Sequence, residues 1–130
     1  MQLERIQPSA LETAQAFFGL EFDELPAGGL QALSADAVIQ TPEGDVYMGH
    51  RGFVTWYVDT LRNYERRAFE SQGFEQLTRR WVLAVGDTTG VLRSGEVSIQ
   101  PGCWLVRVED GLISACLFHR TVGDALSAVD

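Results

Sequence analysis

The fold of this chain is decided by the stretch Trp104-Leu105-Val106-Arg107-Val108-Glu109-Asp110-Gly111-Leu112-Ile113. Two apolar runs flank Asp110-Gly111, and both turn residues tolerate the positive φ angles of a type I′ turn. The pattern predicts a tight β-hairpin with strands over 103–109 and 112–119. A short helical tail is predicted after it, around Asp124-Ala125-Leu126.

A two-residue turn sets the pairing of the two strands, which is obtained by counting outward from the turn. Counting places Val106 opposite Ala115 and Trp104 opposite Leu117, and opposed residues share a face. One face is expected to carry Trp104, Val106, Val108, Ile113, Ala115, Leu117 and His119, and the other Cys103, Leu105, Arg107, Ser114, Cys116 and Phe118. Both faces are substantially apolar. We therefore expect the sheet to be covered on both sides, with a second subunit as a candidate cover for one of them.

The N-terminal part of the chain has helical patterns. Ser9-Ala10-Leu11-Glu12 matches a capping box, and apolar residues follow it at helical spacing. Pro26-Ala27-Gly28-Gly29 is expected to break this helix, and Leu30–Leu33 predicts a short second one. A longer helix is predicted from Gly49 to about Tyr64, with an apolar stripe at Phe53, Val54, Tyr57, Val58 and Leu61.

The remaining segments predict strands. Ala37–Thr41 is expected to be a short strand, with a return at Val46–Met48. The segment Glu65–Gly73 is open between a helix extension and an irregular connection. After it, a series of strands is expected, with breaks at Gly86-Asp87 and Pro101-Gly102 and a turn at Ser94-Gly95. Helices followed by an antiparallel meander predict an α+β domain.

The composition indicates an ordinary globular protein. The chain has 130 residues, 45% of them hydrophobic, which predicts a single domain over 1–130. No apolar run is long enough for a membrane span, and the N-terminus lacks the pattern of a signal peptide, so a cytoplasmic location is expected. The net charge of −8 disfavours nucleic-acid binding. The absence of Lys excludes Schiff-base chemistry and a Walker-type phosphate loop.

Cysteine and histidine spacing points away from a metal or redox centre. Cys103 and Cys116 fit no C-x-x-C pattern and are expected to be small buried apolar side chains. The two histidines are far apart and have no carboxylate at ligand spacing. We therefore expect neither a metal nor a cofactor.

Several segments, in this order and spacing, together resemble the NTF2-like superfamily, in its SnoaL-like and ketosteroid-isomerase-like branch. They are the opening helix pair, Leu33–Val38, Met48–Phe53, Val85-Gly86-Asp87 and the final hairpin. The resemblance implies an NTF2-like cone, in which a curved antiparallel sheet wraps around the N-terminal helices and encloses an apolar cavity. It also implies a homodimer formed through the convex face of the sheet.

The resemblance implies a carboxylate base in the cavity, but this chain departs from that pattern. The positions that resemble the usual acids carry Thr41, Trp104 (or Cys103, if the gap in the alignment falls differently) and Thr121. Thr and Trp side chains cannot act as general bases near neutral pH. His119, expected on the pocket face, is the candidate proton acceptor, since its ordinary pKa suits proton transfer. The alternative is a neutral structural histidine at a strand end.

The predicted function is binding of a hydrophobic small molecule. Its expected contacts are Trp104, Tyr47, Trp56, Val106, Leu117, Thr41 and Thr121. One hypothesis adds cofactor-free acid/base catalysis of the isomerase, cyclase, dehydratase or hydrolase type, with His119 as the base. The competing hypothesis is a non-catalytic ligand-binding or protein-association domain.

Overall fold

The computed structural model of the chain describes residues 8–129. The helices α1 to α4 span Ala10–Phe18, Leu25–Ala32, Gly49–Asn63 and Val122–Ser127, and a 3₁₀ turn covers Phe22–Glu24. The strands β1 to β6 span Leu33–Gln40, Val46–Met48, Tyr64–Gln76, Trp81–Leu92, Val97–Glu109 and Leu112–His119. Among the described residues, no helix combines the length and apolar character that crossing a bilayer requires.

The six strands form one curved sheet in the order β2-β1-β6-β5-β4-β3. Strands β3 to β6 are the predicted antiparallel meander, and β1 and β2 pair antiparallel at the other side. The junction between these two parts is a parallel pairing of β1 with β6. Helices α1 to α3 pack on one face, called here the concave face, and α4 packs on the opposite, convex face. The predicted α+β architecture is confirmed.

The hairpin turn has the predicted geometry. Asp110 and Gly111 adopt φ angles of 53° and 77°, and Val108 pairs with Ile113 as counting requires. The next pair departs from counting, because Arg107 lies opposite Ala115. Ser114 is therefore the extra residue of a β-bulge.

The bulge reverses the faces of the remainder of β6. A one-residue shift moves every later side chain to the other side of a sheet. Cys116 and Phe118 join the cluster on the concave face, and Leu117 packs against the convex cluster. The predicted placement of Ala115, Leu117 and His119 on the pocket face is therefore wrong.

Helix α1 begins at the predicted capping box. The Glu12 N–H donates to Ser9 Oγ at 3.1 Å, and the Ser9 N–H donates to Glu12 Oε1 at 3.1 Å. These bonds hold the pKa of Glu12 below its ordinary value. Ala14, one turn further on, is fully buried against the sheet. The cap thus fixes where the first helix enters the core.

The predicted break at Pro26–Gly29 is wrong, because this segment lies inside α2. Pro26 occupies the first turn of the helix, where a missing N–H removes no hydrogen bond. Gly29 is required by packing, since a Cβ there would overlap the ring of Phe53. A turn-like sequence is thus accommodated in a helix by its position and by a close helix–helix contact.

Helix α3 has the predicted extent, but its buried stripe lies on a different side. Phe53 and Thr60 are buried and Trp56 packs against the core, at spacings of three and four residues. Val54 and Val58, which were predicted to share the apolar stripe, are exposed. Trp56, which was absent from the predicted stripe, packs against the core together with Phe53.

Two predicted strand breaks are also wrong, and Glu65–Gly73 is a strand. Strands β4 and β5 continue through Gly86-Asp87 and Pro101-Gly102. Strand β3 covers Tyr64–Gln76 and contains an irregularity between Ser71 and Gly73. A Cβ at Gly86 would overlap the carbonyl oxygen of Glu70, so the glycine permits β3 and β4 to approach closely.

Replacing Gly86 with Ala is expected to lower the free energy of unfolding by about 1–3 kcal/mol, because backbone atoms of β3 occupy the required space. The measurement is equilibrium urea unfolding followed by circular dichroism. Gly73→Ala is the matched control, since a Cβ there has no atom within 4 Å. Equal stability of the two variants would contradict the close approach at Gly86.

Candidate functional site

A cavity of about 100 Å³, called here the inner cavity, lies between the concave face and helices α1 to α3. Its lining is almost entirely aromatic and aliphatic. The apolar members are Phe17, Phe18, Leu20, Leu25, Ile39, Pro42, Phe53, Trp56, Ala68, Phe69, Trp104 and Cys116. Thr88 and Arg67 are the polar members among the described residues. The cavity is somewhat smaller than the cavity of roughly 150 Å³ that admits benzene in another protein.

The aromatic rings of the lining are held in fixed positions. The Phe18 ring lies 4.9 Å from that of Phe69 and 6.0 Å from that of Trp104, between centroids. Trp104 also packs edge-on against Phe118 at 5.4 Å. The buried Trp104 Nε1–H donates to Thr88 Oγ1 at 3.0 Å. The indole is thus oriented by a hydrogen bond as well as by packing, so that its apolar surface faces the cavity.

A second, more polar space of about 280 Å³, called here the outer compartment, adjoins the inner cavity. Its lining includes three carboxylates, Glu43, Asp45 and Asp59. Trp56 and Arg67 line both spaces and therefore form the boundary between them. The site therefore consists of an apolar inner cavity and an adjoining outer compartment that is polar and acidic.

Tyr47 and Thr41 are tied into the wall of the outer compartment. The Tyr47 hydroxyl donates to Asp59 Oδ2 at 3.1 Å. Burial raises the pKa of Tyr47, and the hydrogen bond to Asp59 adds to this, so the phenol is neutral at physiological pH. Thr41 Oγ1 accepts from the Asp45 N–H at 3.2 Å, which closes the turn that carries Glu43.

Arg67 is a functional candidate that the sequence analysis missed. It is only 8% exposed, its Nη1 donates to Glu43 Oε1 at 3.0 Å, and its Cζ lies 4.5 Å above the Tyr64 ring. Its Nε is buried and has no hydrogen-bond partner among the described residues. The sequence feature that could have identified it is its two-residue spacing from Phe69, because side chains two residues apart on a strand lie on the same face of the sheet.

Five of the predicted site residues lie on the concave side. Trp104 and Trp56 line the inner cavity, and Tyr47 and Thr41 line the outer compartment. Val106 faces the same side but is fully buried in the core cluster, away from both linings. Four of the five thus come together around the two adjoining spaces.

The other predicted residues do not reach the cavity. Leu117 packs on the convex face, and Thr121 caps α4 by accepting from the Asp124 N–H at 3.1 Å. His119 pairs with Cys103, which is also on the convex side, and its Nε2 is buried with no partner among residues 8–129. The bulge in β6 accounts for Leu117 and His119 together. His119 therefore does not contact the inner cavity.

The inner cavity itself carries little acid/base chemistry. Within the described residues, its lining contains no Asp, Glu or His. Burial raises the pKa of the Cys116 thiol, which keeps it protonated and poorly nucleophilic. No group of three potential metal ligands occurs within residues 8–129. The carboxylates able to accept a proton are those of the outer compartment.

The fold matches many solved structures. A protein of Pseudomonas putida KT2440, provisionally described as a polyketide cyclase, has a TM-score of 0.75 at 18% identity, covering 95% of this chain and 99% of that one. TerC, crystallised with polyporic acid, has a TM-score of 0.73 at 15% identity, covering 85% and 89%. A ketosteroid isomerase-like protein of Catenulispora acidiphila DSM 44928, in complex with trimethylamine, has a TM-score of 0.69 at 15% identity, covering 94% and 92%.

These likenesses concern three-dimensional structure. No protein-family model matches the chain, and no curated protein matches its sequence. Proteins with the NTF2-like and cystatin folds also occur among the structural matches. The resemblance deduced from the sequence is thus confirmed at the level of the fold, which is NTF2-like and shared with SnoaL-like and ketosteroid isomerase-like proteins.

Proposed function

We propose that this protein binds a hydrophobic small molecule in the inner cavity. The observation that carries the proposal is an aromatic-lined concave space that borders a polar compartment at Trp56 and Arg67. Sites for small molecules are typically concave and apolar, with a few polar groups that orient the ligand. This arrangement favours a ligand with an apolar end and a polar end.

The size of the inner cavity restricts what can enter it. Its volume of about 100 Å³ is below the roughly 300–1,000 Å³ that is usual for drug-sized ligands. The outer compartment has a volume of about 280 Å³, and the two volumes together fall within the lower part of that range. We therefore propose a ligand that places about one ring in the inner cavity and its polar remainder in the outer compartment.

Structural neighbours support a role in small-molecule binding. TerC has been crystallised with polyporic acid, and the Catenulispora acidiphila protein is in complex with trimethylamine. These ligands belong to those proteins. What they contribute is that this fold accommodates organic molecules of different charge and size.

The first test is binding of toluene, followed by the change in tryptophan fluorescence, because Trp56 and Trp104 line the cavity. Cys116→Met is expected to weaken toluene binding at least tenfold, since the longer side chain fills the cavity. Cys116→Ala is the matched control, because it enlarges the same space and should retain binding.

Two outcomes would contradict this proposal. One is wild-type protein that leaves toluene unbound near its solubility limit. The other is a Cys116→Met variant that folds normally and binds toluene as tightly as Cys116→Ala does. Thermal unfolding of each variant checks that the comparison is made between folded proteins.

A second candidate function is cofactor-free acid/base catalysis, with Glu43 in place of His119 as the base. The favouring observation is that Glu43 lies 3.0 Å from Arg67, at the boundary where a ligand would pass between the two spaces. Glu43 would accept a proton from the carbon next to a ligand carbonyl. The resulting enolate oxygen would be stabilised by the positive charge of Arg67.

The test of catalysis is hydrogen–deuterium exchange at the α-carbon of 2-tetralone in D₂O, followed by NMR. Wild-type protein is expected to accelerate exchange, and Glu43→Gln should remove at least 99% of that acceleration, in line with the roughly 10²–10⁴-fold contribution of a general base. Glu75→Gln, an exposed carboxylate outside both linings, is the control. Bound 2-tetralone without accelerated exchange would instead support the non-catalytic ligand-binding alternative.

We also propose a homodimer formed through the convex face. Val97 and Ile99 are 69% and 61% exposed at one end of that face, and Val46 and Met48 are exposed at the other. Helix α4 covers the region between them around Cys103 and Leu105. Exposed apolar groups on a sheet face are typical of an interface.

Light scattering after size-exclusion chromatography is expected to give a dimer mass for the wild type. Ile99→Lys should shift the mass toward a monomer, because a charge would be buried at the interface. Val58→Lys is the control, since Val58 is 43% exposed on α3. A monomeric wild type at micromolar concentration would refute the dimer and leave the ligand-binding proposal unaffected.

A further inference from the structure

Arg67 places a buried positive charge at the junction of the two spaces. It lies on β3 opposite Gly90 of β4. A Cβ at position 90 would lie 2.8 Å from the Tyr64 ring and 3.3 Å from Arg67 Cγ, so the glycine leaves room for both side chains. The guanidinium is thus stacked on Tyr64 and held near the boundary.

The hydrogen-bonding capacity of this guanidinium is only partly used. A guanidinium has five N–H donors, and burying a charge is costly unless its donors are satisfied. One donor, on Nη1, bonds to Glu43, whose own side chain is 49% exposed. The Nε–H is buried and lacks a partner among the described residues. A bound acceptor oxygen would satisfy it.

The surrounding charges make Arg67 distinctive. Among the described residues, it is the basic member of both linings, while Glu43, Asp45 and Asp59 surround the outer compartment. The carboxylates would disfavour an anion placed in the outer compartment alone. They would not prevent an anion from bonding directly to Arg67, where a charged hydrogen bond offsets the repulsion.

We propose that Arg67 binds the acidic oxygen of an aromatic ligand whose ring occupies the inner cavity. The oxygen belongs to a carboxylate, a phenolate or an enolate. It accepts from the guanidinium N–H groups that Glu43 does not use, the Nε–H among them, while Glu43 keeps its bond to Nη1. The inference rests on the proposed function and adds the chemical class of the ligand.

The test compares benzoate with benzamide, which has the same size and no charge, by NMR titration of the folded protein. Wild-type protein is expected to bind benzoate at least tenfold more tightly than benzamide. Arg67→Met should lose this preference, because it keeps the bulk of the side chain but removes its donors. Arg66→Met, at the neighbouring exposed arginine, should keep the preference.

Glu43→Gln provides a second test that leaves Arg67 in place. Removing the negative charge beside Arg67 should tighten benzoate binding several-fold and should change benzamide binding less, because benzamide carries no charge. This variant keeps the inference falsifiable even where Arg67→Met fails to fold. A loss of benzoate binding in Glu43→Gln would overturn the inference.

The remaining outcomes separate this inference from the proposed function. Toluene binding together with equal affinities for benzoate and benzamide would overturn the role of Arg67 alone. Tighter binding of benzylamine than of benzoate would also overturn it, and would assign recognition to the carboxylates. Failure of toluene, benzoate and benzamide to bind would overturn both proposals.

Discussion

The β-bulge at Ser114 is the constraint on which the composition of both sheet faces depends. Because one extra residue reverses the alternation, Cys116 and Phe118 face the helices while Leu117 and His119 face away from them. Arg107 supports the bulge, since its Nε–H donates to Ser114 Oγ at 2.8 Å. The position of Cys116 in the lining of the inner cavity follows from this shift. A regular strand would turn a histidine toward it and a phenylalanine away.

Much of the fold could be predicted from local chemistry, because the signals are short-range. The Asp110-Gly111 turn, the capping box at Ser9 and the long third helix each depend on residues close in the chain. The bulge could not be predicted in this way, since both faces of β6 are apolar and either register satisfies the pattern. The continuity of β4 through Gly86 also depends on a distant backbone, that of Glu70.

The candidate site was predictable only in part, for the same physical reason. Aromatic residues such as Trp56 and Trp104 indicate a cavity wall wherever they fall on the inner face. Arg67 is a candidate because it is buried, and its burial cannot be predicted from the sequence because the neighbouring residues are also charged. The apolar lining of the inner cavity gives it a low dielectric, which strengthens the electrostatic interactions of the buried guanidinium at its boundary. One guanidinium can therefore dominate the electrostatic potential of the inner cavity.

The parallel pairing of β1 with β6 has a consequence for how the protein is made. Strand β1 is synthesised early, but its inner edge is completed only by β6, the last of the six described strands. Until β6 emerges from the ribosome, that edge remains open to pairing with other chains. The long separation in sequence also slows closure of the sheet. Exposure of this edge of β1 to intermolecular pairing therefore ends only when β6 pairs with it.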